Sequence, residues 1–147
     1  MRALLQRVSR AEVRVDGAVV GSIGPGLAVL LGIGRADDEA TADSLAARVV
    51  ELRIFADDAG RTNRSLIEVG GELLVISQFT LYADTSRGRR PGFTDAASPD
   101  LAIAVYERFC SACEGHGVAV ARGRFGSEMA VELVNEGPFT IWLDTAD

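Results

Sequence analysis

Residues 17–34 read GAVVGSIGPGLAVLLGIG, an uncharged stretch of 18 positions. By length alone, such a stretch could span a membrane as a helix. Its six glycines and Pro25 argue against a helix, and the GPG turn divides it into AVVGSI and LAVLLGI. Both runs are apolar and contain β-branched residues, as buried strands do. The stretch therefore predicts two strands of a sheet, and no membrane association is expected.

Strands and helices are also predicted on either side of this stretch. A helix over about 38–52 places Leu45, Val49 and Leu52 on one face, and Ser98-Pro99-Asp100 suits the start of a second helix. The polar segment ADDAGRTNRS is predicted to be a loop. The remaining strand candidates are RALLQRV, AEVRV, ELLVISQF and three short runs near 117–121, 129–135 and 138–143.

This order of elements predicts an α+β fold: a strongly curved, barrel-like antiparallel sheet with two helices packed against it, all in a single domain of residues 1–147. The composition, 48% hydrophobic and 24% charged, is typical of a globular protein. The N-terminus carries arginines and only a three-residue apolar run, so we expect no signal peptide and a cytoplasmic protein.

Charge restricts the possible partners. The net charge of −6 argues against a general nucleic-acid coat protein. All 15 positive residues are arginine, and Arg87, Arg89 and Arg90 cluster in an irregular stretch at about 83–97. A loop of that length is often functional. The cluster can bind a few phosphates, or it can be a solvated loop, and composition leaves both possibilities open.

The residues that usually carry metal or redox chemistry do not form a convincing site. Cys110 and Cys113 make a C-x-x-C motif with His116 nearby, but no second pair completes a zinc site. The motif lies near the end of the second predicted helix, where Cys113 continues the buried stripe. We predict core packing for the thiols, a loop position for His116, no metal and no cofactor.

Two other segments have both a structural and a functional interpretation. Ser77-Gln78-Phe79-Thr80 follows the apolar run LLVI and is either an ordinary strand end or a source of free backbone N–H groups for an oxyanion. NEGPFT at 135–140 is either a tight hairpin turn or a backbone feature directed at a ligand.

Five motifs occur in an order that closely resembles the D-aminoacyl-tRNA deacylase family, of the small bacterial and eukaryotic type. They are SQFTL at 77–81, RGRRPGF at 87–93, ASPD at 97–100, GRF at 123–125 and NEGPFT at 135–140. The resemblance runs from MRALLQRV to TIWL and so covers nearly the whole chain. The sequence departs from the family at Phe139, where a small aliphatic residue is more usual.

The resemblance implies a hydrolase that cleaves the ester of D-aminoacyl-tRNA, or of mischarged glycine, at the 3′ end of tRNA for chiral proofreading in translation. It also implies a homodimer in which Gly137-Pro138, with a cis peptide bond, reaches into the partner's active site as a chirality filter. Carried over residue by residue, it assigns Ser77, Gln78, Phe79 and Thr80 to catalysis, Arg7 to support of the Gly-Pro segment, and Phe125 and Met129 to the terminal adenosine.

The chemical role of Thr80 stays open at this point. Its hydroxyl is placed to be a nucleophile, but no base in the sequence activates it. We favour a water molecule assisted by the substrate's own 2′-hydroxyl, with the amides of Phe79 and Thr80 stabilising the oxyanion. The rival classes are a non-catalytic module that binds phosphates through the arginine cluster and, with little support, a redox protein using the two thiols.

Overall fold

The computed structural model describes all 147 residues and contains eight strands and three α-helices. The strands are β1 (Arg2–Val15), β2 (Ala18–Ile23), β3 (Gly26–Gly32), β4 (Phe55–Ala56), β5 (Thr62–Arg64), β6 (Glu72–Ser77), β7 (Val120–Arg122) and β8 (Ala130–Asp144). The helices are α1 (Glu39–Glu51), α2 (Leu66–Val69) and α3 (Pro99–Gly115), and a 3₁₀ turn spans Phe79–Tyr82.

Six strands form one curved sheet in the order β2-β1-β3-β6-β7, with β8 paired to β1. The sheet nearly closes on itself, since a Cβ added at Gly21 of β2 would lie 2.6 Å from the carbonyl oxygen of Arg122 in β7. The α+β class and the barrel-like curvature are therefore confirmed. The outer edge of β8 has no partner strand within the chain.

The sheet is mixed, so the prediction of a purely antiparallel sheet was wrong in this detail. Strands β3 and β6 pair in parallel, and so do β6 and β7. Helix α1 lies between β3 and β6 along the chain, and α3 lies between β6 and β7. A helical crossover returns the chain to the same end of the sheet, which is the connection that parallel pairing requires.

Both long strands were predicted as separate pieces. RALLQRV and AEVRV are one strand, β1, and the two last candidates are one strand, β8. The helix over 38–52 is confirmed as α1, and the second helix begins at Pro99 as expected. The segment that was predicted to be a polar loop forms most of the short β4–β5 hairpin. The four-residue helix α2 follows it and is capped by reciprocal hydrogen bonds between Ser65 and Glu68.

Strand β6 separates two hydrophobic clusters and thereby fixes the position of its own C-terminal end. Leu73 and Val75 face the larger cluster under α1 and α3, whereas Leu74 and Ile76 face the smaller cluster inside the curved sheet. Burial on both faces explains why the run LLVI is continuously apolar and does not alternate. The buried hydroxyl of Tyr106 donates to the carbonyl of Val75 at 2.7 Å, which anchors α3 to β6.

None of the helices is long and apolar enough to cross a membrane.

Candidate active site

The end of β6 presents two free main-chain amides. The N–H of Gln78 still donates to the carbonyl of Leu31 in β3 at 2.8 Å, and the chain then enters the 3₁₀ turn. The first amides of a helical turn have no acceptor within it. Neither Phe79 nor Thr80 donates its N–H to any other protein acceptor, and both residues are exposed. Adjacent free N–H groups at the start of a turn can stabilise an oxyanion.

The side chain of Thr80 has one hydrogen-bond partner, the amide nitrogen of Gln78. An amide cannot take a proton from a hydroxyl at neutral pH, and no histidine or carboxylate contacts this hydroxyl. Thr80 therefore lacks the adjacent general base that activates a serine or threonine nucleophile. The geometry agrees with the interpretation in which its backbone amide, and not its hydroxyl, does the chemistry.

A cavity of about 690 Å³ opens beside this strand end. The rings of Phe79 and Phe93 meet edge to face with centroids 5.0 Å apart. The ring of Phe125 is tilted against that of Tyr106, with centroids 6.3 Å apart. Aromatic and apolar walls with a few polar groups are typical of a site for a flat organic ligand. Its lining includes Ser77, Gln78, Phe79, Phe93, Phe125 and Met129.

Part of the cavity wall was missed by sequence reasoning. The irregular stretch at about 83–97 was expected to be functional, but no individual wall residue was named in it. Its last residues join the end of β3, where Ala97 donates its N–H to Ile33 at 2.9 Å and Arg35 donates to the carbonyl of Asp95 at 3.1 Å. These bonds place Phe93, Ala96 and Ala97 against the C-terminal end of β6. The sequence carries no local signal for these contacts.

NEGPFT is a bulge in β8, so the hairpin interpretation of this segment was wrong. The runs on either side both pair with β1 in the same antiparallel sense, with Thr140 opposite Gln6 and Asn135 opposite Val8. The four residues 136–139 therefore lie opposite the single position Arg7, three more than regular pairing would place there. The bond between Gly137 and Pro138 is cis, as the resemblance implies. Proline is tolerated there because β8 is an edge strand.

Side chains hold this bulge from two sides. Arg7 donates through Nε to the carbonyl of Glu136 at 3.1 Å and through Nη1 to that of Ile54 at 2.7 Å. Its guanidinium also lies 4.7 Å from the centroid of the Phe139 ring. Within the bulge, the Asn135 side chain accepts from the N–H of Phe139 at 3.0 Å and donates to the Thr140 hydroxyl at 2.9 Å.

The structure brings some of the candidate residues together and leaves others apart. Ser77, Gln78, Phe79, Phe125 and Met129 share the cavity. Thr80 follows directly on the same turn, but its side chain is not part of the lining. Arg7, Gly137 and Pro138 form the bulge site and do not line the cavity of their own chain. Gly137 and Pro138 are exposed.

The two thiols lie in the hydrophobic core. Cys110 and Cys113 are both fully buried, and burial raises the pKa of each to about 12. His116 ends α3 and is exposed. No group of three or more histidine, cysteine or acidic side chains is arranged to hold a metal ion. Core packing of the cysteines and a loop position for His116 are therefore confirmed.

Free main-chain amides at the mouth of an apolar cavity, on a barrel-like α+β scaffold, are the arrangement with which a class of enzymes can stabilise an oxyanion without a catalytic triad. Comparison with known proteins specifies the class further. The family model for D-Tyr-tRNA(Tyr) deacylase matches residues 4–144, and the chain belongs to this family. The resemblance drawn from the five motifs is thereby confirmed, as is the assignment to deacylase enzymes.

Individual relatives agree with this assignment over the full length. The chain is 59% identical over 146 residues to a D-aminoacyl-tRNA deacylase of Roseiflexus castenholzii, covering 99% of this chain and 93% of that protein. It is 56% identical over 147 residues to the one of Paracoccus denitrificans, covering 100% and 99%.

Two solved structures share the fold. One, the c-Myc DNA unwinding element binding protein, superposes with a TM-score of 0.92 at 34% identity and covers 99% of both chains. The other, a probable eukaryotic D-amino acid tRNA deacylase, has a TM-score of 0.86 at 20% identity and covers 97% of both chains. The second likeness concerns the fold alone.

Proposed function

We propose that this chain, acting as one domain in the cytoplasm, hydrolyses the ester that joins a D-amino acid or glycine to the 3′-terminal adenosine of tRNA. The products are free tRNA and the amino acid. The single observation that carries the proposal is the pair of free amides of Phe79 and Thr80 at the mouth of an aromatic-walled cavity, in a chain of this family.

The chemistry needs little from side chains. A water oxygen attacks the ester carbonyl, and the oxyanion that forms accepts hydrogen bonds from the amides of Phe79 and Thr80. The bond from carbon to the 3′-oxygen then breaks, and the leaving oxygen takes the proton that the attacking water gives up. The 2′-hydroxyl on the neighbouring carbon assists this proton transfer, since Thr80 has no base beside it. Ser77 and Gln78 shape the site.

The terminal nucleoside occupies the cavity in this proposal. Phe125 and Met129 form part of the apolar wall, and a nucleobase gains about 1–3 kcal/mol from stacking on an aromatic side chain. The sulfur of Met129 packs against Gly123, where an added Cβ would lie 2.8 Å from it. A nucleobase that is bound in this cavity places the ester next to the free amides of Phe79 and Thr80.

The Gly137-Pro138 bulge supplies the chirality filter from a second copy of the chain. Its carbonyls accept hydrogen bonds from the substrate's α-ammonium, so only one Cα substituent can point to open space. A D side chain points outward, an L side chain strikes the bulge, and glycine has nothing to strike. A thousandfold preference corresponds to about 4 kcal/mol, which a clash with fixed backbone can provide.

Three features of the chain support a homodimer with the filter acting across it. The bulge is exposed and lies outside the cavity of its own chain. It is held by Arg7 and Asn135 without help from the cavity residues. Strand β8, which carries it, has a free outer edge of 15 residues with exposed apolar side chains at Val131, Val134 and Trp142.

The experiment is a deacylation assay with purified protein. The same tRNA is charged with the D and the L form of one amino acid, and alanine tRNA mischarged with glycine is the third substrate. We expect release of the D-amino acid and of glycine, and no release of the L form. Binding of D-aminoacyl-tRNA without turnover would favour the rival phosphate-binding module, and equal release of both enantiomers would contradict the filter.

A further inference from the structure

We propose that two groups of arginines that adjoin cavity-wall residues in the chain bind the phosphates of the single-stranded 3′ end that precedes the terminal nucleoside. One group is Arg87, Arg89 and Arg90, here called the arginine loop, and the other is Arg124. The inference rests on the proposed function and extends it from the reacting ester to the polynucleotide that carries it.

The arginine loop is closed at its base and projects from the protein. Asp84 and Gly92 exchange two backbone hydrogen bonds of 2.7 and 2.9 Å, and the Asp84 side chain accepts from the N–H of Ser86 at 2.9 Å. Gly88, at φ +72°, turns the chain between the first and second arginine. Every residue from 84 to 92 is exposed, and positions 85–92 contain three arginines and no acid.

These arginines have no carboxylate partner in a protein with an excess of acids. Seven arginines elsewhere in the chain form ion pairs of 2.5–3.3 Å. The three arginines of the loop and Arg124 take part in none, and their side chains donate no hydrogen bond to the protein. Apart from Arg48 and Arg61, every other arginine of this acidic chain forms an ion pair or donates a side-chain hydrogen bond, so these four are most of its free guanidinium groups.

Both groups adjoin residues that form the cavity wall. Phe93 comes three positions after Arg90, and Phe125 comes directly after Arg124. Both rings line the same cavity, and Phe93 packs against Phe79 of the catalytic turn. A nucleoside in the cavity has its 5′ phosphate at the cavity rim, and the strand continues away from it. Both groups of unpaired arginines are therefore joined to this wall by short stretches of chain.

The chemistry of the two partners is complementary. A guanidinium presents parallel N–H donors that match the oxygens of a phosphate. Phosphate contacts carry no base information, so they suit an enzyme that must accept the same 3′ end on many tRNAs. Because the contacts release counterions, each one contributes about −0.7 to the slope of log affinity against log salt for a single strand.

The test compares two substrates and two double variants. The substrates are D-aminoacyl-tRNA and the 3′-O-D-aminoacyl ester of adenosine, which has no phosphate. Arg89→Gln/Arg90→Gln removes two charges from the arginine loop. Arg48→Gln/Arg61→Gln is the matched control, because both of those arginines are exposed and unpaired but lie on α1 and in the β4–β5 hairpin.

For the loop variant, we expect kcat/KM on D-aminoacyl-tRNA to fall about tenfold or more at low salt, through KM. The slope of log affinity for the tRNA against log salt concentration should become shallower by about 1.4, which corresponds to the loss of two phosphate contacts. Hydrolysis of the adenosine ester should stay at the wild-type rate, and the control should match wild type on both substrates.

Either of two results would overturn the inference. One is an equal loss on both substrates, which would mean that the loop acts on the reacting site. The other is a loop variant that matches the Arg48→Gln/Arg61→Gln control on tRNA, with an unchanged salt slope. Failure of the proposed function is distinguishable from both, because wild-type protein would then hydrolyse neither ester.

Discussion

The Nε atom of Arg7 donates a hydrogen bond to the main-chain carbonyl of Glu136 at 3.1 Å, across a point where β8 places four residues opposite this one arginine. The same guanidinium donates to Ile54 and covers the ring of Phe139. A Cβ added at Gly137 would lie 2.8 Å from its Nη2 atom. Arg7 is therefore a positioning residue for the whole bulge.

Replacement of Arg7 by lysine should lower the selectivity for D- over L-aminoacyl-tRNA. Lysine keeps the charge but cannot donate in two fixed directions, so the carbonyl of Glu136 loses its partner. We expect the free energy of unfolding to fall by about 1–2 kcal/mol and the ratio of kcat/KM for D- over L-aminoacyl-tRNA to fall with it. Steady-state kinetics on both enantiomers and thermal unfolding measure the two effects.

Arg10→Lys is the matched control on the same strand. Arg10 is exposed and pairs only with exposed Glu132, so less than about 1 kcal/mol depends on it. An Arg7→Lys enzyme that keeps the wild-type D-to-L ratio would show that the bulge does not need this support.

Replacement of Thr80 by alanine separates backbone from side-chain catalysis. The alanine keeps the main-chain amide and loses only the hydroxyl and its bond with Gln78. We expect kcat to stay within about tenfold of wild type, since loss of a true hydroxyl nucleophile costs on the order of a millionfold. Thr94→Ala, at another exposed threonine, is the control. A fall to background in a folded protein would make Thr80 the nucleophile.

The two thiols should be inert in the native protein. Cys110 and Cys113 are buried, and their pKa values of about 12 leave almost no thiolate at neutral pH. We expect both to react with a thiol reagent only as fast as the protein unfolds, while the same chain in guanidinium reacts at once. Rapid labelling that abolishes activity, or activity lost on chelation and restored by zinc, would contradict this account of the core.

A charge on the outer part of β8 should separate the subunits. Val134 is 42% exposed on this edge strand, and Ile103 is 43% exposed on α3, so the two positions are matched in exposure. We expect Val134→Asp to be monomeric at micromolar concentration in sedimentation and inactive, because the filter is then absent. Ile103→Asp should stay dimeric and active. An active monomer in either variant would contradict a filter that acts between chains.

Local sequence patterns predicted most of the helices and strands, because the chemistry of neighbouring side chains decides where such elements form and begin. The run LLVI of β6 is apolar at every position and is buried on both faces. The start of α3 at Pro99 follows from the chemistry of a helix N-terminus. The candidate site at the end of β6 was proposed on the same kind of evidence, since polar residues after such a run are unusual.

The remaining features depend on pairing between distant parts of the chain. Asparagine, glycine and proline suit a hairpin turn as well as a bulge, and only the register with β1 shows that NEGPFT is a bulge. In the same way, neither the sequence of β3 nor that of β6 shows by itself that the two strands pair in parallel. Phe93 lies in the cavity wall because backbone hydrogen bonds join residues 95–97 to the chain just after β3. The sequence has no local signal for these bonds.

The central claim is that each active site combines Gln78 of one chain with Gly137-Pro138 of another. Two variants, Gln78→Ala and Pro138→Ala, are expected to be weakly active alone. The first loses the side chain that shapes the catalytic turn, and the second loses the ring that restricts the bulge backbone. Both must be dimeric before they are mixed.

The decisive measurement is deacylation of D-aminoacyl-tRNA after the two variants are mixed in equal amounts and allowed to exchange subunits. If the filter acts across the dimer, each mixed dimer contains one site with both parts intact. Activity should then rise to about one quarter of the wild-type value, because half of the dimers are mixed and each has one intact site of two. Activity that stays at the average of the two separate variants would contradict the claim.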